Sequence, residues 1–374
     1  MHSSRPPRNG VTLARLLIQP DVANVRFARQ SVIDGSVEPM GTELRFRWNE
    51  GLRRTPPPPS PYATSMLLSQ ALLDGALMQR RPGCVFVDMD AATLLSPIAD
   101  VLCGPLGAIQ LPADMPVQEP VTRRLAQLHA RGYRFAMAGV TSPDDPRMEW
   151  LPMMSFVKLD VSLAPVSAWA PVQALSRQGG VTLIADRLTE PADYLRLKAL
   201  GLRYFQGDLL MVPQEEFPRA LPCCDLDTLQ RLFRLVRHGA PHEALAMTAA
   251  ADPALVIRLL MLYRLQTGRA LPTTLTDTLA ALPEAVLTGW LHVLRTSTFD
   301  LTPASQSWSQ AVREQIHNYR ARLIGARICA SPAELEAKVF DLYRRLCTFE
   351  PPVPSPLMLA LATPRPEAAG KSSE

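Results

Sequence analysis

The chain has 374 residues, of which 47% are hydrophobic and 20% charged, and its formal net charge is only +4. This length exceeds what one hydrophobic core usually holds, so two domains are expected. The slight net charge, without a concentrated basic patch, argues against nucleic acid or an anionic membrane surface as a partner. No run approaches the ~20 apolar residues of a membrane span, which argues against a membrane protein.

The six cysteines are scattered, with no CxxC pair and no Cys/His spacing suited to zinc, so they are predicted to be reduced thiols. The polar start MHSSRPPRNG lacks the apolar region of a secretory signal. A cytoplasmic protein is therefore expected. The prolines cluster near residues 56–61, 351–356 and 364–366, where they mark loops and tails.

In chain order, residues 1–24 are predicted to be poorly ordered, and two strands about a turn follow over residues 25–33 and 41–48. In the second strand Glu43, Arg45 and Arg47 alternate with Thr42, Leu44 and Phe46. Taken alone, Glu43 is interpreted as an exposed strand carboxylate.

Beyond the proline-rich loop, strands alternate with helices of ten to fifteen residues. The predicted helices cover residues 63–78, 93–102, 121–130, 166–177 and a segment from Thr189 to Gly201, and the predicted strands cover residues 84–87, 106–111, 133–137, 156–159, 181–184 and 203–205. This alternation predicts parallel βαβ units that close into an α/β barrel. No GxGxxG or GxxxxGK[ST] sequence follows a strand, which argues against a nucleotide-binding doubly wound fold.

Two segments of this barrel resemble an EAL domain, the bacterial cyclic di-GMP phosphodiesterase fold. EAL domains open with Q-P-I, a variable loop and G-x-E-A-L-x-R-W. The residues kept here are Gln30, Gly41, Glu43, Leu44, Arg47 and Trp48. The stretch from Val181 to Pro213 is similar to the closing EAL pattern of I-A-E-G-V-E, a helix, L-G, and Q-G before a proline. The resemblance implies a TIM-like, EAL-type α/β barrel over residues 25–213.

The resemblance also implies a set of site positions, because the family holds its metal ions with carboxylates and an asparagine at strand ends. Glu43, Lys158 and Gln206 match the family. Asp88 stands where an Asn is expected, Gln110 where a Glu is expected, and Asp186 replaces the first Glu of E-G-V-E. The consecutive Asp pair of D-D-F-G-T-G falls on Ala138 and Gly139.

The loss of that pair predicts a chain without catalytic activity, metal or cofactor, since alanine and glycine offer no side-chain oxygen. Asp144 and Asp145 in SPDDP are the alternative as a shifted pair, but the flanking prolines mark a surface turn too far past the strand. A barrel-mouth salt bridge is the alternative to a catalytic role for Lys158 and Asp160.

After a linker predicted at residues 214–222, the pattern is helical from 223 to 350, and a proline-rich tail over 351–374 is predicted to be disordered. Asp225 and the pair Asp252-Pro253 are predicted helix starts. This all-α bundle resembles an HDOD domain through ADPALVIRLL, TTLTDTLAALP and GWLHVL, and departs from that family at Tyr263-Arg264. The lone histidines form no His-Asp dyad, and Gly239 and Pro241 prevent His238 and His242 from forming a helical metal pair.

The two resemblances together indicate the EAL-HDOD signalling family and predict a catalytically silent regulatory protein that acts through protein–protein contacts. The partner signalling protein is not identified by the sequence. Three alternatives stay open: a non-hydrolysing cyclic di-GMP receptor, an active phosphodiesterase and a structural remnant. With Arg47 and Lys158 set against Glu43, Asp88 and Asp186, cyclic di-GMP is expected to bind in the high micromolar range at best.

Overall fold

The computed structural model describes residues 25–48, 60–73, 84–216, 224–297, 303–329 and 331–348. The segments predicted to be poorly ordered, residues 1–24 and 351–374, lie outside the described residues. Within the described part the strands are β1 (Val25–Asp34), β2 (Pro39–Trp48), β3 (Cys84–Asp88), β4 (Gly107–Leu111), β5 (Arg134–Val140), β6 (Phe156–Asp160), β7 (Thr182–Asp186), β8 (Tyr204–Phe205) and β9 (Gln214–Glu216).

The first eight strands close into a barrel. They run in the order β2-β3-β4-β5-β6-β7-β8-β1, and β1 pairs again with β2. Strands β2 to β8 are parallel to one another, whereas β1 is antiparallel to both of its neighbours. The closed α/β barrel predicted from the alternation of strands and helices is therefore confirmed.

Helices connect the parallel strands, and several differ from their predicted extents. Those of the barrel are α1 (Ser60–Leu68), α2 (Ala91–Leu95), α3 (Glu119–Ala130), α4 (Val166–Gln178) and α5 (Pro191–Ala199). The helix predicted over 63–78 begins earlier and passes into a π-helical turn at Ser69–Leu73, beyond which residues 74–83 are not described.

The helix predicted over 93–102 is divided in two, which corrects the prediction. After α2 the chain bends at Ser96 and continues as a 3-10 helix at Pro97–Val101. Proline cannot donate the backbone bond that a continuous helix requires there. The Ser96 hydroxyl instead accepts from the Ile98 N–H at 3.2 Å and so caps the second segment.

The barrel interior is apolar at one end and polar at the other. The apolar layer lies toward the amino-terminal ends of the parallel strands and consists of Val32, Cys84, Phe86, Ala108, Ala136, Phe156 and Ile184. Within it, the rings of Phe86 and Phe156 pack edge to face with centroids 5.1 Å apart. The inward positions that follow toward the carboxyl ends are mostly charged or amide side chains, which places any site at the end where such barrels carry their chemistry.

The predicted linker begins with a strand, which corrects its predicted start. β9 pairs antiparallel with Phe27, Ala28 and Arg29 of β1, while β8 covers only Ile33 and Asp34 on the same edge. Without β9, the amino-terminal half of that edge would present unpaired backbone groups. The barrel therefore extends to Glu216, beyond the predicted boundary at Pro213, and residues 217–222 lie outside the described part.

The chain after Cys224 is helical, as the sequence predicts. Its helices are α6 (Leu226–Arg237), α7 (His242–Ala249), α8 (Pro253–Thr267), α9 (Leu275–Ala280), α10 (Glu284–Ser297), α11 (Pro303–Gly325) and α12 (Pro332–Thr348). Asp225 accepts from the Thr228 N–H at 2.9 Å, and Asp252 accepts from the Ala254 N–H at 3.0 Å, so both predicted caps are confirmed. His238 and His242 are exposed on either side of the turn between α6 and α7.

The helical part packs directly against the barrel. Helix α10 contacts α1 and the 3-10 segment Pro97–Val101, and Trp290 of α10 is 1% exposed. A side chain at Gly289 would place its Cβ 2.7 Å from the Pro97 carbonyl oxygen, so glycine permits the close approach. Cys103 Sγ also donates to Gln266 Oε1 of α8 at 3.0 Å. The two parts therefore bury apolar surface against each other.

Among the described residues, none of the helices combines the length and the apolar character that a membrane crossing requires.

Candidate functional site

Glu43 is the centre of a buried polar network inside the barrel. It lies on β2, directly opposite Gln30 of β1, and is 1% exposed. Its Oε1 accepts from Arg45 Nε at 2.7 Å and from Gln110 Nε2 at 3.1 Å. Its Oε2 accepts from Arg45 Nη2 at 3.1 Å, from Lys158 Nζ at 2.8 Å and from Gln206 Nε2 at 2.5 Å. The interpretation of Glu43 as an exposed carboxylate is thus wrong, because β2 turns this face into the barrel.

Lys158 and Gln206 complete the network from β6 and from the end of β8. Lys158 is fully buried, and its Nζ also donates to Gln206 Oε1 at 2.9 Å. The same ammonium lies 4.7 Å from the centroid of the Phe86 ring, at the border with the apolar layer. The residues that the sequence aligned, Glu43, Gln110, Lys158 and Gln206, are brought together by the fold.

Arg45 is the site residue that sequence reasoning missed. It follows Glu43 by two positions on β2, so both side chains lie on the inner face of the strand. Burial acts in the opposite sense, but the Glu43 carboxylate raises the pKa of Arg45, with smaller contributions from Asp186 and Asp88. The sequence had favoured Arg47, whose side chain lies outside the described part. The strand alternation itself was the signal that could have identified Arg45.

The charge of Glu43 is fixed by its neighbours. Burial alone would raise its pKa, but Lys158 and Arg45 hold the pKa of Glu43 well below its usual value. Glu43 is thus ionised and paired with two cations at neutral pH.

Two further carboxyl groups lie at the mouth, at the carboxyl ends of β3 and β7. Asp88 is exposed, and Gln110 Nε2 donates to its Oδ1 at 2.7 Å. Burial, followed by the charge of Glu43, raises the pKa of Asp88 to about 6. Asp186 is 5% exposed, and burial raises its pKa as well. Neither carboxyl group has a cation of its own in direct contact among the described side chains.

Lys158 and Asp160 are both in salt bridges, though with partners that the sequence did not indicate. Lys158 pairs with Glu43, whereas Asp160 Oδ2 lies 3.0 Å from Arg187 Nη1. Arg187 adopts a left-handed backbone with φ +57°, and its N–H donates to Asp186 Oδ1 at 2.8 Å. A non-glycine residue in this region is strained. Arg187 therefore follows Asp186 in a backbone conformation that glycine adopts more readily than other residues.

A buried arginine, Arg147, lies beside the end of β5. β5 continues to Val140 with an irregular register between Met137 and Val140, longer than the strand predicted to end at Met137. Arg147, 1% exposed, donates through Nη1 to the carbonyl oxygens of Ala138, Pro112 and Leu111 at 2.9, 2.8 and 3.3 Å. The strand end that would need acidic ligands therefore has a guanidinium beside it.

Among the described residues, Asp144 and Asp145 do not form a metal-binding pair. Asp145 binds Arg147 through both oxygens, at 3.0 and 2.7 Å, and caps the 3-10 helix Pro146–Met153. Asp144 is exposed on the same turn. Both residues therefore serve the loop after β5.

The metal ions that the resemblance implies do not fit these side chains. Both Glu43 oxygens are occupied by nitrogen donors, and Ala138 and Gly139 supply no oxygen from their side chains. A divalent cation would lie close to the charges of Arg45 and Lys158. Across the described residues, no group of three or more His, Cys, Asp or Glu side chains is arranged to hold a metal ion.

Comparison with known proteins gives matches only among solved structures. No protein-family profile matches the chain, and no characterised protein matches it in sequence. The YkuI protein of Bacillus subtilis, with an EAL domain, in complex with cyclic di-GMP and calcium, is 17% identical, with a TM-score of 0.44 over 56% of this chain and 58% of that one. The match thus spans little more than half of the Bacillus chain.

Two further matches are comparable. Klebsiella pneumoniae BlrP1, in a complex with calcium and cyclic di-GMP, is 15% identical, with a TM-score of 0.43 over 58% of this chain and 59% of that one. The EAL domain of Mycobacterium smegmatis DcpA is 17% identical, with a TM-score of 0.41 over 50% of this chain and 92% of that one. The barrel assignment for the present chain rests on its own strand pairing.

Proposed function

We propose that this chain is a catalytically silent regulatory protein of bacterial signal transduction, in which a degenerate EAL-type barrel and an HDOD-like helical part serve as interaction surfaces. The observation that carries the proposal is the saturation of Glu43 by Arg45, Lys158, Gln110 and Gln206. A carboxylate whose oxygens accept from five donors has no free oxygen with which to bind a catalytic metal ion.

The absence of carboxylates at the end of β5 supports the same proposal. A two-metal phosphodiesterase needs bridging oxygens that neutralise the metals and hold them near each other. At this strand end Ala138 presents only a methyl group and Gly139 has no side chain, and the neighbouring charge is the guanidinium of Arg147. The barrel packed against a helical part offers the surfaces for the proposed interaction role.

The test is hydrolysis of cyclic di-GMP by the full-length protein in magnesium or manganese. We expect no turnover above the buffer rate, because neither metal finds an open set of oxygen ligands. Product formation is followed by chromatography over several hours at high enzyme concentration.

Metal-dependent turnover that disappears in Glu43→Gln would contradict the proposal. Glutamine keeps the shape of the side chain, so a loss of turnover in a variant shown to remain folded would identify the carboxylate charge itself as catalytic. Turnover that persists in the variant would come from a contaminating enzyme and would leave no activity to assign to this site.

A non-hydrolysing receptor for cyclic di-GMP is the second candidate, and the mouth disfavours it. Lys158 is fully buried and donates to Glu43 and Gln206, and Arg45 is bound to Glu43, so the charges of both are already paired inside the protein. Calorimetric titration should give no dissociation constant tighter than the high micromolar range. A submicromolar constant that weakens in Arg45→Ala or Arg47→Ala would instead favour the receptor.

A further inference from the structure

Among the described residues, the exposed charged side chains at the carboxyl-end face of the barrel are mostly acidic. We define this mouth face by the loops that follow β3 to β8. Exposed carboxylate side chains occur at the end of β3, at Asp88, and on four of these six loops, at Asp114, Asp144, Glu190 and Asp208. Because all of these loops meet at one end of the barrel, the charges surround its opening.

The described cations of the same face are already paired. Arg45 is bound to Glu43, Arg147 to Asp145, and Arg187 to Asp160. Arg187 is 55% exposed, and the other two are mostly covered. On the described residues, the mouth face thus carries an excess of negative charge, although the whole chain is slightly positive.

A buried acceptor inside the mouth lacks a partner among the described residues. Gln110 is 3% exposed, and its Nε2 donates to both Glu43 and Asp88, but its Oε1 accepts no hydrogen bond from any group that the structure describes. A buried amide oxygen without a donor is costly, by about 1–3 kcal/mol. A ligand that brings N–H groups next to Asp88 would satisfy it. Burial, together with the charge of Glu43, raises the pKa values of Asp88 and Asp186, although Lys158 and Arg45 act in the opposite sense.

Exposed apolar side chains lie on the same loops. Leu163 and Val166, after β6, are 68% and 57% exposed, and Val212, after β8, is 64% exposed. Apolar side chains rimmed by charge are typical of a protein-binding surface. The face therefore suits a ligand that combines positive charge with apolar side chains.

We propose that the mouth face binds a basic, partly apolar segment of another protein, with one lysine or arginine side chain entering the mouth to donate to Asp88 and to Gln110 Oε1. The inference rests on the proposed function, since it supplies the surface and the partner chemistry for an interaction protein. An ammonium or guanidinium carries several N–H donors, whereas a phosphate would add negative charge to the acidic ring.

The experiment uses the full-length protein and a short fluorescent peptide of repeating Lys-Leu-Arg units, acetylated and amidated, with binding measured by fluorescence anisotropy. We expect saturable binding that weakens about tenfold in Asp88→Asn with Asp114→Asn and that also weakens as salt is raised. Glu243→Gln is the matched control, because it removes one exposed carboxylate from α7, away from the mouth.

Several results would overturn the inference. These are the absence of binding, equal affinity in the mouth and control variants, or equal affinity for a peptide with glutamine in place of every basic residue. Peptide binding that is observed only after Arg5, Arg8 and Arg15 are changed to glutamine would also overturn it. That result would identify the chain's own amino-terminal segment, and not another protein, as the occupant of the mouth face.

The hydrolysis assay keeps this inference separate from the proposed function. Without turnover and without peptide binding, only the docking inference fails. Turnover of cyclic di-GMP would overturn the proposed function whatever the peptide result.

Discussion

Replacing Glu43 with alanine should lower the free energy of unfolding by about 3–5 kcal/mol, the largest effect we expect from a single charged side chain. Lys158 is fully buried, and its charge is balanced directly by Glu43 at 2.8 Å. Removing the carboxylate leaves a buried ammonium and a partly covered guanidinium without their counter-charge. Urea unfolding followed by tryptophan fluorescence measures the change.

Two controls separate charge burial from simple loss of contact. Glu119 forms an exposed pair with Arg123, with side chains 67% and 66% exposed, so Glu119→Ala should cost no more than a few tenths of a kcal/mol. Glu43→Leu combined with Lys158→Met removes both charges and should recover much of the lost stability. Equal small effects of Glu43→Ala and Glu119→Ala would mean that water or another carboxylate reaches Lys158.

The stability difference between the unchanged protein and Glu43→Ala should depend on pH in a defined direction. Because the pKa of Glu43 is lowered in the folded protein, its contribution is fully present above its usual value of 4.5. The contribution is lost only as the pH falls below 4.5 toward the lowered folded pKa. Asp88 acts in the opposite sense, since its pKa is raised to about 6 and its ionisation between pH 4 and 6 disfavours the folded state.

The barrel could be predicted from the sequence because its strands and helices have different periodicities. Val181 to Phe205 carries a strand, a helix start at Pro191 and a helix end before Gly201, and the structure contains all three. Such features depend on residues that are neighbours in the chain, so local sequence is sufficient for them.

The parts that could not be predicted depend on residues far apart in the chain. β9 is only three residues long and exists because β8 leaves half of the β1 edge uncovered. No local pattern distinguishes Gln214 to Glu216 from a linker. The pairing of Arg187 with Asp160, and of Arg147 with the end of β5, likewise requires the closed barrel.

The candidate site was predicted in its residue set but not in its electrostatics. Alignment to the EAL pattern identified Glu43, Lys158 and Gln206, which the fold brings into hydrogen-bond contact. A sequence pattern gives the charge of Lys158 but not the residue that pairs with it, so from the sequence alone Lys158 is expected to be available to a ligand. The family pattern contains Arg47 and gives no role to Arg45. Which side chains pair as counter-ions depends on which face of each strand points into the barrel. For β2 that face is set by its register with β1 and β3.

Replacing Gly207 with alanine should destabilise the fold by about 2–6 kcal/mol and disturb the site as well. Gly207 has φ +152°, and a Cβ there would overlap the backbone nitrogen and oxygen of Leu188. Overpacking against backbone costs about 1–3 kcal/mol, and an unfavourable φ adds about 1–3 kcal/mol. The neighbouring Gln206 carbonyl accepts from the Leu188 N–H at 3.1 Å, so relief of the clash would displace the side chain that donates to Glu43.

Gly180→Ala separates the two contributions to this cost. Gly180 has φ +69°, yet a Cβ there would meet no atom within 4 Å, so only the cost of the backbone conformation applies, about 1–2 kcal/mol. Unfolding in urea should therefore show Gly207→Ala to be clearly less stable than Gly180→Ala. Only Gly207→Ala should change the titration of Asp88, because it alone moves Gln206 relative to Glu43. Equal losses in the two variants would show that the contact between Gly207 and Leu188 relaxes at little cost and that Gln206 does not depend on it for its position.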